Sequence, residues 1–491
     1  KISNFRFVKG TAVYTSSFRP PTEPLTNITN TKLLCCNNSS VTGSTVTPGT
    51  ITSSGDPTAS SDSPFDDPAG FVFGDSGKEN VIKCGSYIGN GSDTGPEINL
   101  GLEPQWLLIK DATSSGDGWE MFDSMRGIVS DGSDQVLNAN ENDDESSGGY
   151  LDLTSTGFKF TTSSTRVNKS GDNYIYMAIR RPDGYVGKPA EAGTDVFAMD
   201  TGNSSSTIPT FDSGFPVDFG LIRRPATAQD WWTYGRLMQG RYLTTNTATV
   251  DSADGGGKFD SNTGFYAGGF NSTYQGWMWK RHAGFDVVTW KNDTTNTFKS
   301  VRHNLGKKPE MIWLKSRSGG NTAQNKWYVW HSDLTANGSL HSQYIVLNTD
   351  AAQTNSGNLW GDSGSYLTNA SFGYWTGAVG STSDVIAMLF ASVSGVSAVG
   401  SYTGTGSDLT ITLGFQPRFV LIKDIDNTAS WHLFDTLRGI ASGTDKVLLL
   451  NDTGAQTNTE DRLDLTSDGM TLHSAGSTNE NNVNFIYYAH A

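Results

Sequence analysis

Helical periodicity is almost absent from this chain of 491 residues. Short runs rich in Val, Ile, Phe, Tyr, Trp and Thr alternate with clusters of Gly, Ser, Asn and Asp, the pattern of strands joined by turns. The run Trp106-Leu107-Leu108-Ile109 is apolar at every position, as in a strand buried on both faces. A second run puts Tyr174, Tyr176 and Ala178 on one parity and Ile175 and Met177 on the other, so it too is apolar throughout. Residues 37–66 have a different texture, almost wholly Ser, Thr, Gly, Asn, Pro and Asp. With the stretch to residue 80 they predict a linker or extended arm that separates residues 1–36 from the rest.

An internal repeat organises everything that follows. GSYIGNGSD (85–93) matches GSYTGTGSD (400–408), and LGLEPQWLLIKD (100–111) matches LGFQPRFVLIKD (413–424). WEMFDSMRGI (119–128) then matches WHLFDTLRGI (431–440), LDLTSTGF (151–158) matches LDLTSDGM (463–470), and NYIYMA (173–178) matches NFIYYA (484–489). Weaker copies lie between, carried by GFPVDFGLIRR (214–224) and LGKKPEMIWLK (305–315). The copies span 81–182, 192–283, 284–393 and 394–491. A Pro stands before the apolar run at Pro104, Pro309 and Pro417, where a strand begins and its missing N–H costs nothing. Six to eight short strands in about 90–110 residues is the size of a small β-sandwich. The expected fold is therefore all-β, with four tandem small antiparallel β-sandwich domains.

The 50 acidic residues outnumber the 35 basic ones and give a formal charge of −15. That balance disfavours attraction to nucleic acid. No stretch nears the ~20 consecutive apolar residues of a transmembrane helix, so no membrane insertion is expected. The chain opens at Lys1 without a basic-then-apolar leader, and we read it as the C-terminal part of a longer protein. Cys35, Cys36 and Cys84 are odd in number, with two adjacent, which is no disulfide framework and no zinc site. They read as buried or idle thiols, and assembly in a reducing cytoplasm fits better than secretion.

Catalytic chemistry leaves no signature. None of the seven histidines sits in HExxH, and no GxSxG elbow, GxxxxGK[ST] loop or helix-opening GxGxxG occurs. Asp143, Asp144 and Glu145 lie in NENDDESSGG, where the last copy has NDTGAQTNTED, so no carboxylate pair keeps the repeated placing a glycosidase needs. Asn140, Asn142 and Asp144 have calcium-loop spacing, but Glu145 and Leu151 stand where an EF-hand needs Gly and Glu. No enzyme activity, metal or cofactor is expected. Asp123 with Arg126, matched by Asp435 with Arg438, could grip a ligand. Three residues apart and followed by Gly127 or Gly439, each pair more simply closes a turn after a strand.

Trp119, Trp327 and Trp431 recur at one motif position and read as core anchors. Trp231, Trp232, Trp277, Trp279, Trp330, Trp360 and Trp375 belong to the middle copies only. Indoles beside Asn, Gln and Asp suit sugar recognition, an apolar ring face with hydrogen bonds around it. These seven are the candidate ligand-binding residues. They would equally fill contacts between domains or subunits, and both readings stay open.

The opening ISNFRFVKGTAVYTSSFRPPTEPLTNITNTKLLCC (2–36) resembles the closing strands of laminin-G/concanavalin-like domains of tailed-phage virion proteins, a jelly-roll-like fold. The matching positions are the Asn4–Arg6 strand, the Lys9–Ser16 hairpin and Phe18–Pro21. VIKCGSYIGNGS, EPQWLLIKD, FDSMRGI and NYIYMA resemble repeats in structural and tail-fibre proteins of marine cyanophages, over residues 70–182 and 394–491. The resemblance implies a virion appendage, a tail fibre assembled in the host cytoplasm beside other virion tail proteins, and by analogy a homotrimer. An arm without a core of its own also needs neighbours to order it. Function would be adhesion to a host cell-surface polysaccharide or outer-membrane receptor. The rivals are a purely structural spacer on capsid or tail and a polysaccharide depolymerase.

Overall fold

The computed structural model describes residues 4–15, 25–37, 40–55, 57–59, 81–130, 132–180, 190, 192–204, 209–253, 257–292, 296–334, 340–355, 359–361, 367–440, 443–474 and 476–491. The chain divides into two compact units, Lys1–Lys78 and Glu79–Ala491. In the first, Phe5–Val8 pairs with Thr31–Cys35, which pairs with Ser44–Val46. Part of the stretch expected to be a linker thus joins a sheet, because Thr45 and Val46 supply β-branched residues for one short strand. Residues 9–15 of the expected hairpin carry no strand, and Phe18–Pro21 lie outside the described residues.

The second unit is all-β and built on one plan used four times. In every copy the first strand pairs with the closing strand, and the closing strand pairs with the apolar run. The tryptophan strand and its successors then extend the sheet. In the first copy the order is Ile82–Ile88, Asn173–Arg180, Pro104–Asp111, Glu120–Asp123, Asp134–Asn138, Ser146–Gly148. The fourth runs Ser397–Thr403, Asn484–His490, Phe419–Asp424, Trp431–Asp435, Leu448–Leu449. The six-stranded sheets of the middle copies span residues 197–279 and 285–390 with their outermost short strands looping out between. All these pairings are antiparallel, and a smaller sheet of two or three strands covers one face of each large sheet.

The apolar runs explain the layering. In Phe419–Asp424, Val420 and Ile422 pack towards the small sheet with Phe434, Leu463, Met470 and Leu472. Phe419 and Leu421 point the other way and are equally buried. A strand apolar on both faces needs cover on both. The small sheet supplies one cover, and sister copies supply the other. The second, third and fourth copies turn these faces towards each other and share a single core. Phe197 meets Phe419 at 5.5 Å, Phe219 meets Phe285 at 5.7 Å and Phe390 meets Tyr488 at 4.8 Å, so each pair of copies is in ring contact. Each of the three sandwiches keeps a core between its own sheets and shares this further one with its sisters, which sequence periodicity alone had no means of revealing.

Hydrogen bonds close this arrangement into a ring. The Trp231 indole N–H donates to the Leu449 carbonyl at 2.9 Å, Trp327 to Thr244 at 2.8 Å and Trp431 to Val346 at 3.3 Å. Backbone N–H groups repeat the cycle: Asp251 to Arg317 at 2.8 Å, Gln353 to Ile425 at 2.9 Å and Gln456 to Pro225 at 2.7 Å. By strand register Thr244, Val346 and Leu449 are equivalent positions, as are the three tryptophans. Three copies of one chain are thus related by an approximate three-fold.

Candidate functional site

The seven candidate tryptophans are largely accounted for by packing. Trp231, Trp277, Trp279, Trp330 and Trp360 are buried, none more than 4% exposed. A ring with no open face cannot stack on a sugar, so of the two readings left open, packing fits these five and sugar stacking does not. Trp231 in fact occupies the repeated anchor position, one residue before the strand Trp232–Gly235, as Trp119 stands before Glu120–Asp123. Trp277 lies in the shared core and donates to Asp435 Oδ2 at 3.1 Å. Trp232 and Trp375 are half-buried, Trp232 against Phe270 and Tyr274 and Trp375 against Phe298 at 4.9 Å.

The Asp/Arg motif closes its turn. Asp435 Oδ1 accepts the Arg438 N–H at 2.8 Å, its Oδ2 pairs with Arg438 Nε at 2.6 Å, and Arg438 Nη2 reaches the Leu433 carbonyl at 2.9 Å. Asp123 and Arg126 repeat these contacts, and Gly127 and Gly439 take φ of 134° and 112°. In the acidic loop, Asn140 Oδ1 accepts the Trp119 backbone N–H at 2.6 Å and Glu145 pairs with Arg126 at 2.9 Å. Asn246, Asn348 and Asn451 hold Trp231, Trp327 and Trp431 in the same way, each at 2.9 Å. Asp461 and Asp464 surround His473 together with Asp408, whose hydrogen bond at 2.9 Å raises the imidazole pKa. The carboxylates answer the imidazolium they encircle.

The site with ligand-like chemistry is a cleft of about 620 Å³ between the first and third copies. One wall is the outer face of the first copy's small sheet. Phe158 and Phe160 alternate inwards to full burial, so Lys159 between them points out, with Glu97 and Asp152 as its cross-strand neighbours. The other wall brings Trp290 and Lys291 from the strand Phe285–Lys291 and Lys299 and Arg302 from Phe298–Arg302. Thr154, Thr156, Thr161 and Ser300 add hydroxyls, and Asn99 an amide.

Four cations and three carboxylates (Asp93, Glu97, Asp152) line this cleft, giving it a positive balance in a chain of net charge −15. Lys299 has its pKa lowered, first by burial and then by the positive charge of Lys159. Trp290 is half-buried and held by its indole N–H on Tyr374 Oη at 2.8 Å. The copies on either side are tied together by buried ion pairs: Arg281 from the second copy grips Glu103 of the first at 2.5 Å and Asp286 of the third at 2.7 Å. Such a cleft sets three lysine ammonium groups beside an indole and several hydroxyls, the donor set an anionic ligand would use.

Sequence reasoning missed Lys159, Trp290 and Lys299. They come from two copies more than a hundred residues apart, and no local motif marks them. None of the curated proteins and none of the solved structures matches the chain. Residues 12–181 and 278–491 match the model of a domain of unknown function, DUF7483. The chain belongs to the DUF7483 family.

Proposed function

We propose that the chain is an appendage protein of a tailed-phage particle, a tail fibre working beside other virion tail proteins. In this reading it adheres without catalysis to an acidic polysaccharide of the host surface, through the cleft between the first and third copies. The observation that carries adhesion is the placing of Lys159 and Lys299 in one cleft, where burial first and then the charge of Lys159 depress the Lys299 pKa and an entering anion would offset that repulsion. Trp290 and the threonine hydroxyls suit the sugar ring beside that anion. The virion setting rests on the resemblance of residues 2–36, 70–182 and 394–491. Several weak clefts on one particle would give avidity without tight single sites.

A spacer role is favoured by a different observation, the core shared among three copies, which stiffens the unit whether or not it binds anything. An array of acidic and neutral polysaccharides separates the readings. Adhesion predicts binding to acidic polymers that falls at least tenfold in Lys159→Glu with Lys299→Glu, at unchanged circular dichroism. Equal binding to neutral polymers, or none to any, favours the spacer. Shortened polymer after incubation would make the protein a depolymerase.

A further inference from the structure

The first copy carries the same core-forming face as the other three, and among the described residues no sister copy packs on it. Trp106, Leu108, Met121, Leu137, Ile175 and Met177 stand where the fourth copy has Phe419, Leu421, Leu433, Leu448, Ile486 and Tyr488. Those six residues of the fourth copy are at most 1% exposed. In the first copy Ile175 is 40% exposed and the other five are half-buried. Trp119 is 37% exposed, whereas its equivalents Trp231, Trp327 and Trp431 are at most 1% exposed. Its opposite face is packed normally, with Leu107, Ile109, Phe122 and Tyr174 buried.

The docking features of this face are retained although nothing among the described residues uses them. Asn140 holds the Trp119 backbone as Asn451 holds Trp431. The acceptor position is kept as well: Asn138 lies opposite Glu120 as Leu449 lies opposite His432, and both carbonyls take a turn N–H three residues on. Among the described residues the Trp119 indole meets no such carbonyl. The one geometry in this protein that covers such a face is two further copies of it, arranged in a ring.

We propose that this face is the subunit interface of a homotrimer. Three first-copy sheets, one from each chain, pack around a three-fold axis as the second, third and fourth copies do within a chain. Each Trp119 indole N–H then donates to the Asn138 carbonyl of the next chain. The interface is independent of the cleft and of what the cleft binds.

Sedimentation equilibrium of the full 491-residue chain tests this. The wild type should have three times the 52.8 kDa monomer mass. Ile175→Lys with Met177→Lys, both at exposed or half-buried positions, should give monomer with unchanged circular dichroism. Trp119→Phe keeps the ring and removes only the N–H, so it should fold and shift the assembly midpoint to several-fold higher concentration. A wild-type monomer, or a dimer formed by two faces meeting directly, would overturn the proposal. So would a trimer that persists in the double variant, or an unchanged midpoint in Trp119→Phe.

Discussion

Trp231 and Trp119 occupy one position of the repeat in opposite surroundings, and the difference sets what each residue is worth. Trp231 is fully buried, lies tilted against Trp277 at 5.2 Å and anchors the second copy to the fourth. Trp231→Ala should lower the unfolding free energy by about 3–5 kcal/mol, measured by denaturant titration, while half-buried Trp232→Ala should cost clearly less. The Asp/Arg pairs differ in the same way. Arg438 and Asp435 are 4% and 0% exposed, so Arg438→Met strands a carboxylate and should cost about 3–5 kcal/mol. Arg126 and Asp123 are 22% and 18% exposed, and Arg126→Met should cost about 1 kcal/mol or less after solvent screening. Comparable losses in the two arginine variants would contradict these assignments. The anchor role was legible for Trp327 and Trp431 from their repeated motif position, whereas Trp119, read in the same way, is 37% exposed and anchors no core among the described residues. It was hidden for Trp231 because a second tryptophan follows it and leaves two candidates for the position.

Strands and their ends carry the pH response. His331 and His490 close core strands and His432 lies within one; burial pushes the first and third down to about 4 and His490 to about 3. Burial also lowers His282, which faces His490 at 5.9 Å, and His303. An unfolded chain takes up these protons near pH 6.5, while the folded chain refuses them until about pH 4. The contribution of these five imidazoles to stability is therefore complete above about pH 6.5 and is lost as pH falls towards 4. The melting temperature should decline steadily over that window at constant ionic strength, and a flat profile would contradict neutral, buried imidazoles. The strands and their two-faced apolar runs could be read from residues such as Leu107 and Leu108, and the order of strands within the sheet could not. The cover on the second face could not, because Phe419 and Tyr488 look the same in sequence whether they meet a small sheet, a sister copy or another chain.

At the scale of the molecule, the shared core couples copies that the repeat alone would separate. Residues 192–491 should unfold in one calorimetric transition, because removing the fourth copy's Phe419 and Tyr488 uncovers Phe197 and Phe390 in the other two. Leu433→Ala should lower that transition as a whole. Three separate transitions would show the copies to be independent. The same coupling fixes the walls of the cleft, through Arg281 between three copies, and explains why a site assembled from Lys159, Trp290 and Lys299 left no trace in local sequence. The most direct test of adhesion at that site is lysine acetylation of the intact chain, read by mass spectrometry with and without an acidic polysaccharide. The account predicts that the polymer protects Lys159, Lys291 and Lys299 while Lys32 and Lys258 remain equally reactive. Uniform reactivity at all five, or protection confined to lysines outside the cleft, would contradict it.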